Sequence, residues 1–545
     1  MALKRKKPNT TEGEAYYKEG EYENALKEYN NAIRLSPLQK EYHNKRGLIY
    51  CQLKDYNEAI IDFENALKID KEYVEAQNNK GLCLIMSEEY KEAAKYFIDI
   101  KLDYIDVLIL YPLEETKKVI SYMISEEENN FFKKTLTKYN IQKQEDYKLY
   151  KKIYLQSLDI MHLLHVNHEY EQKNGIAHYT HKAVAEKLIF ENSPLRLSSV
   201  VNANDPKEGK PLLDFLEIDE SCIDGKYQAF IACFTFNHEC LNQFRLYGKE
   251  KEEEGTGISI IFDKSLINPS KDPEAIISLS LKENNDNRRN FYNLFRCIYM
   301  NPKTKQIYSL GQKEIEEENR EGKNYKEYIE QKKEKINEKL KELKKMIEEL
   351  TLYNTDRYKL GITKGEVDSF TEIEMLREKI LDFMKVFSFK YQEEKNEIEK
   401  STELSELKDH LISIIRKETH KYKEYYSEEY LESLAEEELN NLEIKNIMKK
   451  IICELLLNLR YLVKHSSFKE EQECRIFTIK NLSEQKDDIK IEGNRMYINM
   501  KEDIKHYIQK IYFGPKASGL DFFKDRLQHK QLDKIDCVRS ELHLS

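Results

Sequence analysis

The sequence predicts a multidomain chain: an all-α helical solenoid, then an α+β domain carrying a long helical, coiled-coil-like insertion. Three observations carry the prediction. Gly, Ala and aromatic residues recur at a 34-residue spacing near the N-terminus, as at Gly13, Gly47 and Gly81. Short β-rich runs separated by turn signals begin at Ile176 and resume near the C-terminus. Between those two groups lies a Lys- and Glu-rich stretch with apolar residues at 3-4 spacing. The expected division is 1–107 for three repeats starting near residue 6, 108–174 for a helical connector, 175–312 and 466–545 for the α+β module, and 313–465 for the insertion.

The bulk properties bound the function. At 545 residues the chain can hold several domains, each with its own core. Charged residues make up 34% of it, a share that favours long solvated helices. The net charge of -10 argues against a general nucleic-acid partner, because phosphate affinity needs clustered excess cations. The basic run Lys4–Lys7 reads as a solvated tail. No apolar run is long enough for a membrane span, and no signal-peptide core is evident. The nine cysteines are scattered without a C-x-x-C pair. Reduced thiols, a cytoplasmic location and no metal are therefore expected.

The repeats come first in chain order. Tyr22, Tyr56 and Tyr90 share a column, as do Ala25, Ala59 and Ala93, and Tyr29, Phe63 and Phe97. Ala32 and Ala66 share another, with Ile100 in the third register. The pattern resembles the tetratricopeptide repeat, a helix-turn-helix hairpin that buries its apolar face only when stacked. The resemblance implies a groove for a protein or peptide partner. The alternative is an extension packed on the chain's own C-terminal half. Asn44, Arg46 and Lys80 are the candidate groove residues.

Downstream, 148–168 has helix periodicity, with Tyr150, Ile153, Tyr154, Leu158, Met161, Leu164 and His165 on one face. His162, His165 and His168 lack accompanying carboxylates, so a packing helix is expected rather than a metal site.

Strands are expected at Ile176–Thr180, Leu195–Leu197, Tyr227–Phe236, Ile258–Phe262, Phe295–Met300, Glu473–Lys480, Arg495–Ile498 and Gln509–Gly514. Short strands mixed with helices point to an α+β domain. In the insertion, Ile329, Ile336, Leu340, Leu343, Ile347 and Leu350 form a heptad seam. Leu376–Gln392 is the expected return partner, 361–368 the tip, and β signals return after Ser466.

These motifs resemble a bacterial family of unknown function. They are His178-Tyr179-Thr180, Asn204-Asp205-Pro206, Cys233-Phe234-Thr235, Phe244 with Tyr247, Gly257, Glu473-Cys474-Arg475 and Gly514-Pro515-Lys516. Thr235 and Phe244 depart from the family's usual Ser and Trp. A first-strand His, a middle aromatic and a late Glu are also the layout of ADP-ribosyltransferases. That likeness implies NAD as substrate. His178 would bind the adenosine ribose, and Tyr179 or Tyr247 would stack on nicotinamide. Glu473 would stabilise the developing cation, and Arg196 or Arg245 would meet the pyrophosphate. On this reading His178 and Glu473 are catalytic. Thr180, Asn204, Asp205, Thr235 and Arg475 join the ligand-binding set. The alternative is a non-enzymatic adaptor or ligand-sensing scaffold, with Asn204-Asp205-Pro206 a turn device and Glu473 and Arg475, two apart on one strand face, ion-paired with neighbours.

Overall fold

The computed structural model describes residues 10–100, 104, 107–108, 115–126, 131–139, 141, 144–166, 175–202, 207–219, 226–247, 253–263, 266, 294–311, 320–358, 446–483, 488–500 and 504–542. Asn204, Asp205, His168, the 361–368 tip and the Leu376–Gln392 partner lie outside the described residues. The chain forms two compact units, Met1–Leu343 with Glu454–Ser545, and Lys344–Cys453.

Six helices make three stacked hairpins: α1 (Thr10–Lys18) with α2 (Tyr22–Leu35), α3 (Lys40–Gln52) with α4 (Tyr56–Ile69), and α5 (Val74–Met86) with α6 (Tyr90–Asp99). The repeat columns have a steric cause. A Cβ on Gly47 would lie 2.7 Å from the Phe63 ring, and one on Gly13 would lie 3.0 Å from the Tyr29 ring. Each glycine makes room for the aromatic 16 residues later. Ala25, Ala59 and Ala93 are fully buried where the paired helices touch.

Among the described residues, the connector includes α7 (Thr116–Glu126), α8 (Phe131–Lys138) and α9 (Gln144–Leu164). His165, at the end of α9, bridges to the backbone of Phe295. Burial pushes its imidazole down to about 3, so it is a neutral packing residue.

Among the described residues, ten strands form one sheet. They are β1 (Ile176–Thr180), β2 (Arg196–Ser199), β3 (Tyr227–Thr235), β4 (Ile258–Phe262), β5 (Phe295–Arg296), β9 (Glu473–Asn481), β10 (Lys490–Glu492), β11 (Arg495–Asn499), β12 (Ile508–Phe513) and β13 (Asp536–Arg539). The order is β10-β11-β2-β3-β1-β4-β12-β13, with β9 on β3 and β5 on β9. A smaller sheet joins β6 (Ile298–Asn301) to β7 (Gln306–Leu310) and, in parallel, to β8 (Val463–His465). Among the described residues, the α+β part also has helices α10 (Lys182–Phe190), α11 (Pro211–Leu216), α12 (Leu241–Leu246), α14 (Leu457–Arg460) and α15 (Leu520–His529).

Register fixes which side chains share a face. Ala177 stands opposite Thr235, and Thr235 opposite Glu473. Opposite residues share a face, and successive residues alternate. One face therefore carries Ala177, Tyr179, Cys233, Thr235, Glu473 and Arg475. The other carries His178, Thr180, Phe234 and Cys474. The second face is the main core, where Phe234, Ile260, Ile476 and Phe513 pack with Ala185 and Leu188 of α10.

One expectation is corrected, and another is met in its helical part. Strand β8 lies inside the stretch assigned to the insertion, because three residues suffice to pair with β6. The heptad stretch is helical, as α13 (Arg320–Tyr358). Polar residues of its first half also bond α9. Gln156 donates to the Lys339 carbonyl and to Glu342, and Lys339 pairs with Asp159 at 2.9 Å. A seam at 3-4 spacing fits any facing helix, so it could not name the partner.

Candidate functional site

Two regions carry the candidate residues. The first is the face where α1, α3 and α5 line up. Lys45 lies 4.0 Å from Glu14, Gln52 donates to Tyr17, and Asn79 donates to Asn44 at 3.0 Å. Asn44 is thus placed at the seam of repeats two and three, buried and bonded also to Tyr73. Arg46 and Lys80 do not join this face. Arg46 donates two 2.7 Å bonds to Asp62 and one of 2.6 Å to Asn30. Lys80 bonds Glu64 at 2.8 Å and lies over the Tyr96 ring. Arg46–Asn30 and Lys80–Glu64 are both 16 residues apart. They are rungs of one ladder that ties each hairpin to the one before it. The assignment of Arg46 and Lys80 to the groove is corrected accordingly: acceptors on the neighbouring helix already hold both cations.

The second region is a charge cluster on the sheet face opposite the main core. Strand β3 is lined by β9 along its whole length. On its other edge it meets β2 only at Phe230 and Ile231, and β1 only at Thr235. Between those contacts the Cys233 carbonyl accepts a 2.9 Å bond from the His178 ring. Cys233 itself is exposed to solvent. Beside it, Glu473 accepts from Arg475 at 2.8 Å and from Lys464 at 2.7 Å. Arg475 also makes a bidentate pair with Glu208, at 2.6 and 2.9 Å, and donates to the Tyr461 carbonyl. Lys464 also bonds Glu471, which accepts from Tyr247 at 3.0 Å.

The electrostatics follow from this packing. Burial alone would push the Glu473 carboxyl up, but Arg475 and Lys464 outweigh it and hold the group ionised, well below the usual range. Burial raises Glu471, and the ionised Glu473 adds to that against Lys464. Crowding by protein atoms raises the Cys233 thiol even though solvent reaches it, and Glu473 raises it further. The cluster holds three carboxylates, Glu208, Glu471 and Glu473, against two cations, Lys464 and Arg475. Each cation already faces carboxylates, so neither is disposed to take a phosphate.

The structure brings together Glu473, Arg475 and Tyr247, with Tyr179 and Thr235 on the same face. Tyr179 is fixed by Asn237 and Cys240, and Thr235 accepts from the Asn237 amide. His178 and Thr180 project from the opposite face, which corrects the expectation that His178 and Glu473 line one cleft. The physical reason is parity: Phe234, whose ring lies 5.6 Å from that of His178, alternates with Cys233 and Thr235. Arg196 pairs with exposed Glu492 and stacks on Tyr497. Arg245 lies 3.6 Å from Glu254. Sequence reasoning missed Glu208, Lys464 and Glu471. The run Glu471-Gln472-Glu473-Cys474-Arg475 was the available signal, since it places charges at every second residue. Among the described residues, no group of three His, Cys, Asp or Glu side chains could hold a metal ion.

The repeat geometry agrees with the family comparison. A TPR repeat model matches residues 13–54, and a tetratricopeptide repeat model matches residues 40–73. The N-terminal hairpins are tetratricopeptide repeats. No curated protein matches the chain. Solved structures similar to the chain include TPR domains. The second TPR domain of human RPAP3, in complex with an HSP70 peptide, is 24% identical with a TM-score of 0.18, over 22% of this chain and 92% of that one. The Arabidopsis OM64 TPR domain is 26% identical with a TM-score of 0.18, over 22% and 93%. The TPR2B domain of yeast Sti1, in a complex with Hsp70, is 21% identical with a TM-score of 0.18, over 22% and 94%. Among the described residues, no helix is long and apolar enough to cross a membrane.

Proposed function

We propose that this chain is a protein-recognition molecule whose tetratricopeptide repeats dock a peptide segment along the aligned faces of α1, α3 and α5. The observation that carries the reading is the alignment itself. Glu14, Tyr17, Lys45 and Gln52 form one continuous polar surface across the first two hairpins. The segment taken is neutral or basic rather than an acidic tail. Glu14 and Glu41 are exposed there, Lys45 is matched by Glu14, and Arg46 and Lys80 are held by the ladder.

In the α+β module, exposed Cys233 beside the buried charge cluster is the second candidate surface, for sensing a ligand. An NAD-dependent transferase would need His178 and Glu473 on one dinucleotide. Strand parity separates them, so that activity is not part of the proposal.

A photo-crosslinking amino acid at Gln52 in the full chain tests the docking face, with Ile61 on α4 as the reference position. Transfer to partner peptides should occur from position 52 and not from position 61. Equal transfer from both would overturn the assignment of the face.

A further inference from the structure

The cysteine pair of the second and third repeats has no part in either reading above. Cys51 lies on α3 and Cys83 on α5, and their sulfurs are 2.7 Å apart. Both are free thiols. Cys51 is half-buried and reachable from solvent, whereas Cys83 is 1% exposed. A disulfide needs an S–S separation of about 2.0 Å, so closing it asks for about 0.7 Å of further approach. Side-chain motion can supply that without moving either helix. The two helices are otherwise joined at this seam by the Asn44–Asn79 bond.

We propose that Cys51 and Cys83 form a modification site that takes a small-molecule disulfide and converts it into a covalent staple between the second and third repeats. The Cys51 thiolate attacks one sulfur of the small disulfide, forming a mixed disulfide and expelling one thiolate. Cys83 then gives up its proton to water, and its sulfur attacks the Cys51 sulfur, expelling the second thiolate. Two cysteine thiols are oxidised, one small disulfide is reduced to two thiols, and the Cys51–Cys83 bond forms. Division of labour follows from exposure. The accessible sulfur meets the oxidant, and the buried one resolves it. The hydrogen bond to Cys51 and burial both hold the Cys83 thiol protonated until the mixed disulfide forms beside it. This inference rests on the repeat fold and is independent of what the repeats dock.

The test incubates the folded full-length chain with glutathione disulfide and maps cross-linked peptides by mass spectrometry. The expected product joins the peptides of Cys51 and Cys83, with about two fewer titratable thiols and a higher melting temperature that dithiothreitol reverses. Cys51→Ser and Cys83→Ala should each abolish both the cross-link and the shift. Cys51→Ser keeps the buried thiol, so its folding is least at risk. A wild-type chain that accumulates glutathione on Cys51 without linking to Cys83 would overturn the proposal. So would a cross-link that forms only after denaturation.

Discussion

Replacing Arg475 by Met should open the centre of the α+β sheet far more than replacing Arg196 by Met. Arg475 is 2% exposed and donates to both oxygens of Glu208, both oxygens of Glu473 and the Tyr461 carbonyl. Its loss leaves Glu208 buried without that cation, while Lys464 still faces Glu473. Breaking a buried pair by removing one partner costs about 3–5 kcal/mol. Arg196 and Glu492 form a surface pair, with side chains 44% and 65% exposed. Such a pair is worth about 0–1 kcal/mol. The assay is native-state hydrogen exchange on β3 and β9, which reports local opening without assuming that the whole chain unfolds as one. Arg475→Met should speed exchange there by roughly two to four orders of magnitude, and Arg196→Met by about tenfold or less. A cycle with Glu208→Gln sharpens the point. Alone that substitution should destabilise, but with Arg475→Met it should stabilise, because it removes the orphaned charge. Purely additive effects, or an Arg475→Met protein that exchanges like wild type, would refute the network.

Other consequences can be checked in parallel. Gly47→Ala should destabilise α3 and α4 despite a better helix propensity, because overpacking costs about 1–3 kcal/mol against a propensity gain of about 1 kcal/mol; Phe63→Leu should recover part of the loss only in the Gly47→Ala background, read by exchange in those helices. His165 has a depressed folded pKa, so its contribution is complete above about 6.5 and falls with pH toward 3, by up to about 1.4 kcal/mol per unit; His165→Gln should flatten the stability profile between pH 6 and 4. Glu471 has a raised pKa, so its contribution is present below the ordinary carboxylate value and lost as pH rises through the folded one; Glu471→Gln should gain on wild type as pH rises through that window, seen in parallel melts. Cys233 should react with a maleimide before buried Cys297 and Cys474, and Glu473→Gln should speed its reaction, since Glu473 helps hold the thiol up.

What the sequence made legible was whatever depends on local spacing. The repeat columns are a local steric code, because Gly47 and Phe63 meet within one hairpin. Strands β1 and β4 could be bounded by composition and turns alone, at Ile176–Thr180 and Ile258–Phe262. Strand β7 escaped notice because Gln306–Leu310 is short and follows a turn, with only Ile307, Ser309 and Leu310 buried. The partner of the heptad seam was beyond reach for a different reason. Apolar spacing states that a face is covered and leaves open what covers it.

The candidate site shows where that limit becomes chemical. His178, Tyr179 and Thr180 are consecutive, so a strand must split them between two faces. Motif reading kept them together as one binding unit. The face that each takes depends on the pairing of Ala177 with Thr235, and of Thr235 with Glu473, almost 240 residues farther along the chain. Once those pairs are fixed, Tyr179 falls with Glu473 and Arg475, and His178 falls with Phe234. The His178 ring then serves the Cys233 carbonyl in the gap between β1 and β2, a backbone role that no spacing encodes. The same register puts Cys233 opposite Arg475 and makes it the exposed residue beside the charge cluster. Substitutions at His178 should therefore act through the strand edge it satisfies.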